Sequence, residues 1–453
     1  MKQLLYMILL LSVVVLYSNC TDEVVGFDDA LTAVAKENPK KRSVAEAIQI
    51  AQNAISMLDD SIQTRNSLLT RQIDYGQVPL VICSNEMKLT RSSVNEGNDT
   101  LMYVVNYADN QGFAVVSAER GTEGLIAVTE SGQYDPSDTT DTGFRRYMIA
   151  AQKYISANKA KDNPEPNRAP KGFYYEYDTT SVVCITPRIT VKWGQSYHEG
   201  QFCPNGVSGC SHTAAAMIMS YFEYPSFLVL TYNTPNVYRT LNWSGMKSYI
   251  NYGNCLYSIL NGISYCTNED HKSIGYLCRE LAHQTGDNFY YNPNRTHGGI
   301  DQIRTTLLSI GYSVGNVTSY QNLVNTSTIR DHLSNGKLIF MRGDNNSNSG
   351  HAWAIDGYYG FTIHSCYYEY GFTNGLPDPP VLMDEQYNNY RYNHINWGCN
   401  GDNNGYFIDG VFSYYGSAYI YDSSSYIDTT SDPDLITGSD FSNNVQFITI
   451  YKN

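Results

Sequence analysis

The stretch that decides the fold runs from residue 209 to residue 221 and reads Gly-Cys-Ser-His-Thr-Ala-Ala-Ala-Met-Ile-Met-Ser-Tyr. Alanine and methionine favour helix, so the stretch predicts a helix that begins at Cys210 after a tight turn at Gly209. The side chains expected on its buried face are Ala214, Met217, Ile218 and Tyr221. The helix dipole stabilises negative charge at the N-terminus and lowers the pKa of a thiol there. Cys210 is therefore either a nucleophile for acyl transfer or a structural cysteine that opens a core helix.

A thiolate nucleophile needs a base, and residues 349 to 358 contain one. They read Ser-Gly-His-Ala-Trp-Ala-Ile-Asp-Gly-Tyr, and the alternation of small or polar residues with large apolar ones predicts a strand. His351 lies at the start of this strand, where Gly350 allows the imidazole to face a cleft. Imidazole has the pKa that suits proton transfer near neutral pH. We expect Asp356 to have a structural role.

Residues 394 to 401, His-Ile-Asn-Trp-Gly-Cys-Asn-Gly, form the third segment. The side-chain carbonyl of Asn396 can orient the His351 ring, and the Trp397 indole can shield the Cys-His pair from water. Upstream of the cysteine, Gln195 can donate from its amide to a developing oxyanion. His394 is expected to be a strand residue rather than a second base. The other histidines, His364 among them, are expected at the surface or satisfied in the core.

The order of these motifs resembles the streptopain family of secreted bacterial papain-like cysteine peptidases. The resemblance includes Tyr224-Pro225 and Ile310-Gly311-Tyr312, and residues 103 to 117 are similar to the inhibitory propeptide of that family. It covers most of residues 40 to 412. It implies an α+β fold, in which a papain-like cysteine peptidase domain is preceded by a small α+β propeptide domain.

The same resemblance implies the roles of the site residues. Cys210 would be the nucleophile, His351 the general base and acid, and Gln195 the oxyanion donor. Asn396 and Trp397 would lie beside the histidine. The residues implied to line the substrate groove are Gly350 and the loop around Gly299.

Three features depart from the family pattern. Ser211-His212 replaces a small apolar pair after the nucleophile, and Cys399-Asn400 replaces the usual Trp-Gly. An insertion over residues 361–392 lengthens the connection between the histidine and asparagine segments. These departures support an alternative, a catalytically inactive papain-fold surface lipoprotein for binding or adhesion. A third possibility is another Cys-His acyl-transfer enzyme, such as a peptidoglycan amidase or a transglutaminase-like protein.

The N-terminus predicts export. Lys2 precedes an apolar run from Leu4 to Tyr17, which is too short for a transmembrane helix and fits the core of a signal peptide. Ser18-Asn19-Cys20 follows, so residues 1–19 predict a signal peptide of lipoprotein type, with an ordinary cleaved signal as the alternative. Either one predicts an extracytoplasmic protein, which is a bacterial outer-membrane or cell-surface lipoprotein or a secreted protein.

Three further segments follow the signal. Residues 20–158 predict the inhibitory propeptide, with a helix opened by a Ser43–Glu46 capping box, a hairpin over 101–117, a strand over 124–129 and a helix over 144–156. Residues 159–181 include three prolines and exposed charges, which predict a linker with the activation cleavage. Residues 182–453 predict the catalytic domain.

The sequence contains ten cysteines and does not decide which of them form disulfides. Cys255 with Cys266, or Cys366 with Cys399, can form disulfides in an exported chain, and free buried thiols are the alternative. Cys203, Cys210 and His212 are close in sequence, but no second ligand pair with zinc spacing accompanies them. We therefore expect no metal site and no cofactor.

The composition of the chain limits the classes of partner that we expect it to bind. The chain has 30 Lys plus Arg against 44 Asp plus Glu, a formal charge of −14, and no basic block, which argues against nucleic acid. The expected partners are polypeptide substrates and the chain's own propeptide as an intramolecular inhibitor. Contact with a membrane is expected only through a lipid on Cys20. The sequence as a whole predicts a cysteine-type endopeptidase made as a zymogen, which hydrolyses peptide bonds through a Cys-His acyl-enzyme.

Overall fold

The structure is a computed structural model. It describes residues 40–62, 71–83, 86–90, 100–135, 142–158, 173–196, 198–233, 235–249, 257–260, 263–266, 268–286, 291–292, 295–296, 299–320, 326–344, 350–373, 376–413 and 444–452. The predicted signal peptide, Cys20 and residues 159–172 of the predicted linker lie outside these ranges. No helix in the described ranges is both long and apolar enough to cross a bilayer.

Seven α-helices occur in the described ranges. They are α1 (Val44–Ile62), α2 (Gly143–Asn158), α3 (Cys210–Phe222), α4 (Trp243–Ser248), α5 (Glu269–Gln284), α6 (Ile300–Ile310) and α7 (Thr328–Ser334).

The strands fall into a small N-terminal set and a larger C-terminal set. The first is β1 (Leu80–Cys83), β2 (Glu86–Thr90), β3 (Thr100–Asn106), β4 (Phe113–Ser117) and β5 (Leu125–Thr129). The second is β6 (Phe173–Ile185), β7 (Phe227–Leu230), β8 (Val237–Thr240), β9 (Tyr257–Leu260), β10 (Ile263–Cys266), β11 (Tyr291–Asn292), β12 (Arg295–Thr296), β13 (Ser313–Val314), β14 (Thr318–Ser319), β15 (Leu338–Asp344), β16 (Gly350–Glu369), β17 (Phe372–Thr373), β18 (Leu376–Pro377), β19 (Val381–Asn396), β20 (Gly405–Ile408) and β21 (Asn444–Tyr451).

The N-terminal set confirms the predicted α+β unit. Helix α1 opens with the predicted capping box, in which the Ser43 amide donates to Glu46 Oε2 at 2.7 Å and the Glu46 amide donates to Ser43 Oγ at 3.3 Å. The helix packs on β3, β4 and β5 of an antiparallel sheet. A hydrogen bond of 2.9 Å from the Tyr107 hydroxyl to the Ala51 carbonyl fixes the helix to that sheet.

The C-terminal set surrounds helix α3. Every residue of α3 from Cys210 to Ser220 is buried, because the helix packs against β15 and β16 on one side and against α5 and α6 on another. Around it the antiparallel strands run in the order β13, β21, β15, β16, β19 and β20. The nucleophile helix is therefore the core of this part of the molecule.

The two sets share one sheet, because β5 pairs with β20. Thr129 lies opposite Gly405 and Ala127 lies opposite Phe407, which makes a 13-stranded sheet. Helix α2 covers this junction, and the Tyr147 ring lies 4.8 Å from the Phe407 ring in an edge-to-face contact. The N-terminal unit is thus held to the peptidase part by backbone pairing and by aromatic packing.

The predicted insertion over residues 361–392 is a long antiparallel hairpin. It extends β16 and β19, with Phe361 opposite Tyr390 and Cys366 opposite Glu385. Strand β6 pairs with the other edge of β16 over residues 173–185. Residues 173–181, which we predicted as part of the linker, lie in this strand, because its tyrosines and threonines pair with the hairpin edge.

Cys366 and Cys399, one of the two pairs that the sequence left open, are both free thiols and form no disulfide. Cys366 lies opposite Glu385, far out on the hairpin, whereas Cys399 follows the end of β19 at Asn396. Asn396 lies eleven positions beyond Glu385 along β19, a span of about 36 Å at about 3.3 Å per residue. That is several times the reach of a disulfide. The alternative pair falls on Cys255 and Cys266, and Cys255 and the Cys266 side chain lie outside what the structure describes.

Candidate active site

Helix α3 presents Cys210 as its first residue. The residue before it, Gly209, has φ +83°, a left-handed backbone that L side chains rarely adopt. This turn lets the chain enter the helix abruptly and leaves the thiol at the positive end of the helix dipole. The predicted position of Cys210 is therefore confirmed.

The thiol of Cys210 and the imidazole of His351 are hydrogen-bonded to each other. His351 lies at the start of β16, which packs on α3. Burial by itself raises the pKa of Cys210, but the charge and the hydrogen bond of His351 outweigh it, with help from Arg342, and the pKa falls to about 6. Burial by itself lowers the pKa of His351, but the charge and the hydrogen bond of Cys210 outweigh burial and raise the pKa. The pair therefore favours the thiolate–imidazolium form at neutral pH.

The Trp397 backbone carbonyl lies beside the histidine ring, 2.9 Å from His351 Nε2. The Asn396 amide, which we expected to orient the ring, makes other contacts. Its Nδ2 donates to the Val191 carbonyl at 3.2 Å, and its Oδ1 accepts from the Gly398 amide at 3.2 Å. Asn396 therefore fixes the backbone turn that carries Trp397, and the ring contact is made by the Trp397 carbonyl instead.

The Trp397 indole lies beside the histidine as expected. It is fully buried, with ring centroids 6.4 Å from His351 and 5.5 Å from Trp353. Trp353 also stacks near His351 at 6.5 Å. This aromatic wall keeps water from one side of the pair and strengthens the electrostatic interaction between thiolate and imidazolium.

Sequence reasoning missed Arg342, a buried guanidinium near the nucleophile. Its Nη1 donates to Ser211 Oγ at 3.1 Å, and its Nη2 pairs with Asp344 at 2.5 Å. Arg342 lowers the pKa of Cys210 after the larger effects of burial and of His351. The sequence patterns did not mark it, because it lies on β15, outside the segments around Cys210, His351 and Asn396 that carry the recognisable motifs.

Gln195 lies in the loop that leads to the nucleophile. Its backbone carbonyl accepts from the Ser208 amide at 2.7 Å and from Ser208 Oγ at 3.0 Å, next to Gly209. The neighbouring Gly194 carbonyl accepts from Thr213 Oγ1 at 2.9 Å. These bonds hold Gln195 against the start of α3, and its role as the oxyanion donor stays a prediction.

A buried acid, Glu199, supports the same loop. Glu199 is 1 % exposed, and its Oε1 accepts from the Gly194 amide at 3.0 Å. Burial raises the pKa of Glu199 to about 7 despite that hydrogen bond. The loop beside Gln195 therefore rests on a carboxyl group that titrates near neutral pH.

The two predicted groove residues have different settings. Gly350 directly precedes His351 and lies opposite Asp344, where an added Cβ would lie 2.1 Å from Asp344 Oδ1. Gly299 is the N-cap of α6, and the atoms nearest to an added Cβ there belong to Gln302. Gly350 therefore lies next to the catalytic pair, whereas the described neighbours of Gly299 belong to its own helix, α6.

His212 and Cys399, two of the residues that depart from the family pattern, have different effects on the site. His212 is buried away from the thiol, with Nδ1 2.6 Å from the Ser208 carbonyl and Nε2 2.8 Å from Thr285 Oγ1. It anchors α3 to the end of α5. Cys399 brings a second thiol to the site, because its side chain is hydrogen-bonded to His351.

A second histidine links the two parts of the chain. His394, on β19, lies 2.6 Å from Asp356 Oδ1 through Nδ1 and 3.2 Å from Glu130 Oε1 through Nε2. Asp356 Oδ2 accepts from the backbone amides of Arg188 and Ile189. The expected structural role of Asp356 is thus a buried network that reaches the N-terminal unit.

Helix α2 of the N-terminal unit touches the catalytic residues directly. A Cβ added to Gly143, its first residue, would lie 2.4 Å from His351 Cδ2 and 2.4 Å from Trp397 Cε3. Only a glycine allows this approach of backbone to ring. The N-terminal unit therefore covers part of the histidine.

Comparison with known proteins is consistent with this geometry. Residues 193–407 match the model of the Peptidase C10 family, and residues 37–161 match that of the Spi protease inhibitor. Streptopain from Streptococcus pyogenes serotype M28 (strain MGAS6180) is 22 % identical over 355 residues, which cover 72 % of this chain and 78 % of streptopain. Another Streptococcus pyogenes streptopain is 21 % identical over the same length and shares.

A solved structure is also similar. It is a fragment of prointerpain A from Prevotella intermedia, with a TM-score of 0.48 and 19 % identity, and the match covers 77 % of this chain and 94 % of that one. The two family models and the streptopain relatives confirm the fold class and the cysteine peptidase activity predicted from the sequence. The chain is a streptopain-like cysteine peptidase, in which residues 193–407 match the Peptidase C10 family and residues 37–161, ahead of them, match the Spi protease inhibitor.

Proposed function

We propose that the chain is the exported zymogen of a cysteine endopeptidase, which hydrolyses peptide bonds through an acyl-enzyme on Cys210. The observation that carries this proposal is the hydrogen-bonded Cys210–His351 pair at the start of a buried helix. A thiolate that is already formed at neutral pH needs no separate activation step before attack.

In the proposed reaction, the Cys210 thiolate is the nucleophile and the His351 imidazolium is the proton donor. The Cys210 sulfur attacks the peptide carbonyl carbon, and the carbonyl electron pair moves to the oxygen. The Gln195 amide and the Cys210 backbone amide donate to that oxyanion. His351 gives its proton to the leaving amine, and the C–N bond breaks to leave a thioester. His351 then takes a proton from water, which attacks the thioester and restores the thiol.

Latency comes from the inhibitor domain. Helix α2 lies against His351 and Trp397, and β5 pairs with β20 of the peptidase domain. A polypeptide substrate that reaches the histidine must displace Gly143 and its helix. We propose that cleavage within residues 159–172 releases this cover, and that the signal over residues 1–19 directs export, with a lipid on Cys20 or with secretion.

The inactive surface lipoprotein finds no support in the contacts of the departing residues. His212 is turned from the thiol and satisfied by Ser208 and Thr285. Cys399 adds a hydrogen bond to the histidine and removes no catalytic atom. The geometry therefore favours the peptidase.

The test uses purified full-length and processed protein under reducing conditions. We expect the processed form to hydrolyse casein and to be blocked by an epoxide inhibitor of thiol peptidases. Cys210→Ala should abolish hydrolysis, and Cys184→Ser, which removes an exposed thiol, should leave it unchanged. Casein hydrolysis that persists in Cys210→Ala would overturn the assignment.

A further inference from the structure

A cluster of metal-ligand side chains lies on the long hairpin, away from the catalytic pair. His364 and Cys366 are two residues apart on β16, so both point to the same face of the sheet. Glu385 lies directly opposite Cys366 on β19 and shares that face. His364 Nε2, Cys366 Sγ and a Glu385 carboxylate oxygen all lie within 4.8 Å of one another.

The closest ligand atoms are nearly at metal-binding separation. His364 Nε2 lies 2.7 Å from Glu385 Oε1 and 3.2 Å from Cys366 Sγ. Ligands of one tetrahedral zinc ion, with bonds of about 2.0–2.3 Å, lie about 3.3–3.7 Å apart. If these ligand atoms move apart by less than about 1 Å, they reach the separation that a bound ion needs. Side-chain rotation can supply a movement of that size.

The third strand of this sheet adds two carboxylates. In the register of β6 with β16, Glu176 lies opposite Cys366 and Asp178 lies opposite His364. Residues that lie directly opposite one another share a face, with Cβ atoms about 4.5–5.5 Å apart. Glu176 is exposed and in register to give a fourth ligand.

Tyr387 orients the cluster. Its ring stacks on the His364 imidazole with centroids 4.4 Å apart and planes at 4°, and its hydroxyl donates to Glu385 Oε1 at 2.8 Å. The Glu385 carboxylate is thus held by both the Tyr387 hydroxyl and the His364 imidazole. Partners of this type fix the rotamers of metal ligands.

We propose that this face of the β6–β16–β19 sheet binds one divalent transition-metal ion of the zinc class through His364, Cys366 and Glu385, with Glu176 as the fourth ligand. One imidazole nitrogen and one thiolate select zinc-like ions over Mg²⁺ and Ca²⁺, which prefer sites made only of oxygen. On binding, the Cys366 thiol loses its proton to solvent and the sulfur donates to the metal.

Short-range sequence spacing gives no sign of this site, since its ligands come from three strands. The ion would fasten β6 to the hairpin. If the chain is processed within residues 159–172, β6 is the first strand of the processed protein, and this consequence alone rests on the proposed function. The metal site itself is independent of catalysis.

The test is a cobalt titration of the reduced full-length Cys210→Ala chain, in which the catalytic thiol cannot compete. We expect one equivalent of Co²⁺ to give a near-ultraviolet band of thiolate-to-metal charge transfer, and Zn²⁺ to remove it. Cys366→Ser should abolish the band. His364→Gln, a change at a side chain that is 23 % exposed, should weaken Co²⁺ affinity by more than about tenfold.

Two matched thiol controls locate the band. Cys184→Ser changes a cysteine on the same sheet, and Cys399→Ser changes the thiol beside His351, and both should keep the band. Circular dichroism shows whether each variant is folded. A band that survives Cys366→Ser, or the absence of Co²⁺ and Zn²⁺ binding by the folded Cys210→Ala chain, would overturn the proposal and leave only the contact between His364 and Glu385.

Discussion

His394 Nε2 in the peptidase domain lies 3.2 Å from Glu130 Oε1 in the inhibitor domain. The His394 side chain is 3 % exposed, and its other nitrogen pairs with the buried Asp356 at 2.6 Å. Burial lowers the pKa of His394, but Asp356 and Glu130 outweigh it and raise the pKa to about 10. Burial raises the pKa of Glu130, but His394 outweighs it and the pKa falls. The contact is therefore an ion pair that ties the two domains.

Replacement of Glu130 by glutamine should loosen the inhibitor domain. The amide keeps the shape of the side chain but lacks the charge, and a charged hydrogen bond contributes about 1.5–3 kcal/mol. We expect the full-length chain to be processed roughly 10- to 100-fold faster at neutral pH, timed on gels after addition of mature enzyme. Asp74→Asn is the control, because the hydrogen bonds of Asp74 stay within its own loop. Equal rates for Glu130→Gln and the unaltered chain would contradict the prediction.

The same ion pair predicts a pH dependence with two limbs. The lowered pKa of Glu130 gives stability that is present above its ordinary value of 4.5 and is lost as the pH falls through the lowered pKa. The raised pKa of His394 gives stability that is present below 6.5 and is lost as the pH rises toward about 10. We therefore expect Glu130→Gln, added to the Cys210→Ala chain, to lower the free energy of urea unfolding most near pH 5–6.5. The loss should be smaller in stronger acid. An effect that is constant with pH would exclude this pair as its cause.

Gly143→Ala should disturb latency without harming the mature enzyme. The new methyl group would lie 2.4 Å from His351 Cδ2 and from Trp397 Cε3, so helix α2 must shift. Overpacking of this kind costs about 1–3 kcal/mol. We expect faster processing of the full-length chain, with unchanged casein hydrolysis once residue 143 has been removed.

Gly76→Ala is the matched control for that variant. It makes the same change in the inhibitor domain at an exposed loop, where the nearest atom to the new methyl group is a side-chain oxygen of Asp74. It should process at the normal rate. Normal latency of Gly143→Ala would show that α2 does not press on the histidine.

Alkylation of Cys210 should titrate with a midpoint near pH 6, far below the ordinary thiol value of 9.0. In a Cys184→Ser background, the rate of reaction with iodoacetamide measured against pH reports this midpoint. His351→Ala should raise the midpoint more than Arg342→Gln does, because His351 is the stronger of the two influences. A midpoint above pH 8 in the parent chain, or the opposite order of the variants, would remove the assigned ion pair.

Glu199→Gln should flatten the pH dependence of stability. Because the pKa of Glu199 is raised from 4.5 to about 7, the native state keeps a proton that the unfolded state has released. Its stabilising effect is full below pH 4.5 and is lost by about pH 7, a change on the order of 3 kcal/mol at about 1.36 kcal/mol per pKa unit. Glutamine still accepts from Gly194 and carries no charge, so the free energy of urea unfolding should fall less between pH 5 and 8.

Glu223→Gln is the matched surface control for Glu199→Gln. Glu223 makes an exposed pair with Lys247, and such pairs contribute about 0–1 kcal/mol. Glu223→Gln should leave the slope of the unfolding free energy against pH as it is in the parent chain. A slope in Glu199→Gln equal to that of the parent chain would show that the buried acid is not the group that titrates.

The sequence alone determined the local elements and the chemistry of the nucleophile. The Ala–Met run after Gly209 identified helix α3 and its first residue, because helix propensity and a glycine turn act over a few neighbouring residues. The Ser43–Glu46 capping box and the alternation after Gly350 were read correctly for the same reason. The resemblance carried by these motifs also predicted the inhibitor domain that precedes the peptidase.

Tertiary structure decided what depends on distant residues. Arg342 and Gly143 reach the catalytic pair from another strand and another helix, and the Glu130–His394–Asp356 network joins the two domains. No short motif encodes these contacts. The length of the hairpin separates Cys366 from Cys399 and brings Cys366 to Glu385 instead. Side-chain partners across a sheet are set by strand register, which the fold as a whole fixes through burial of one face.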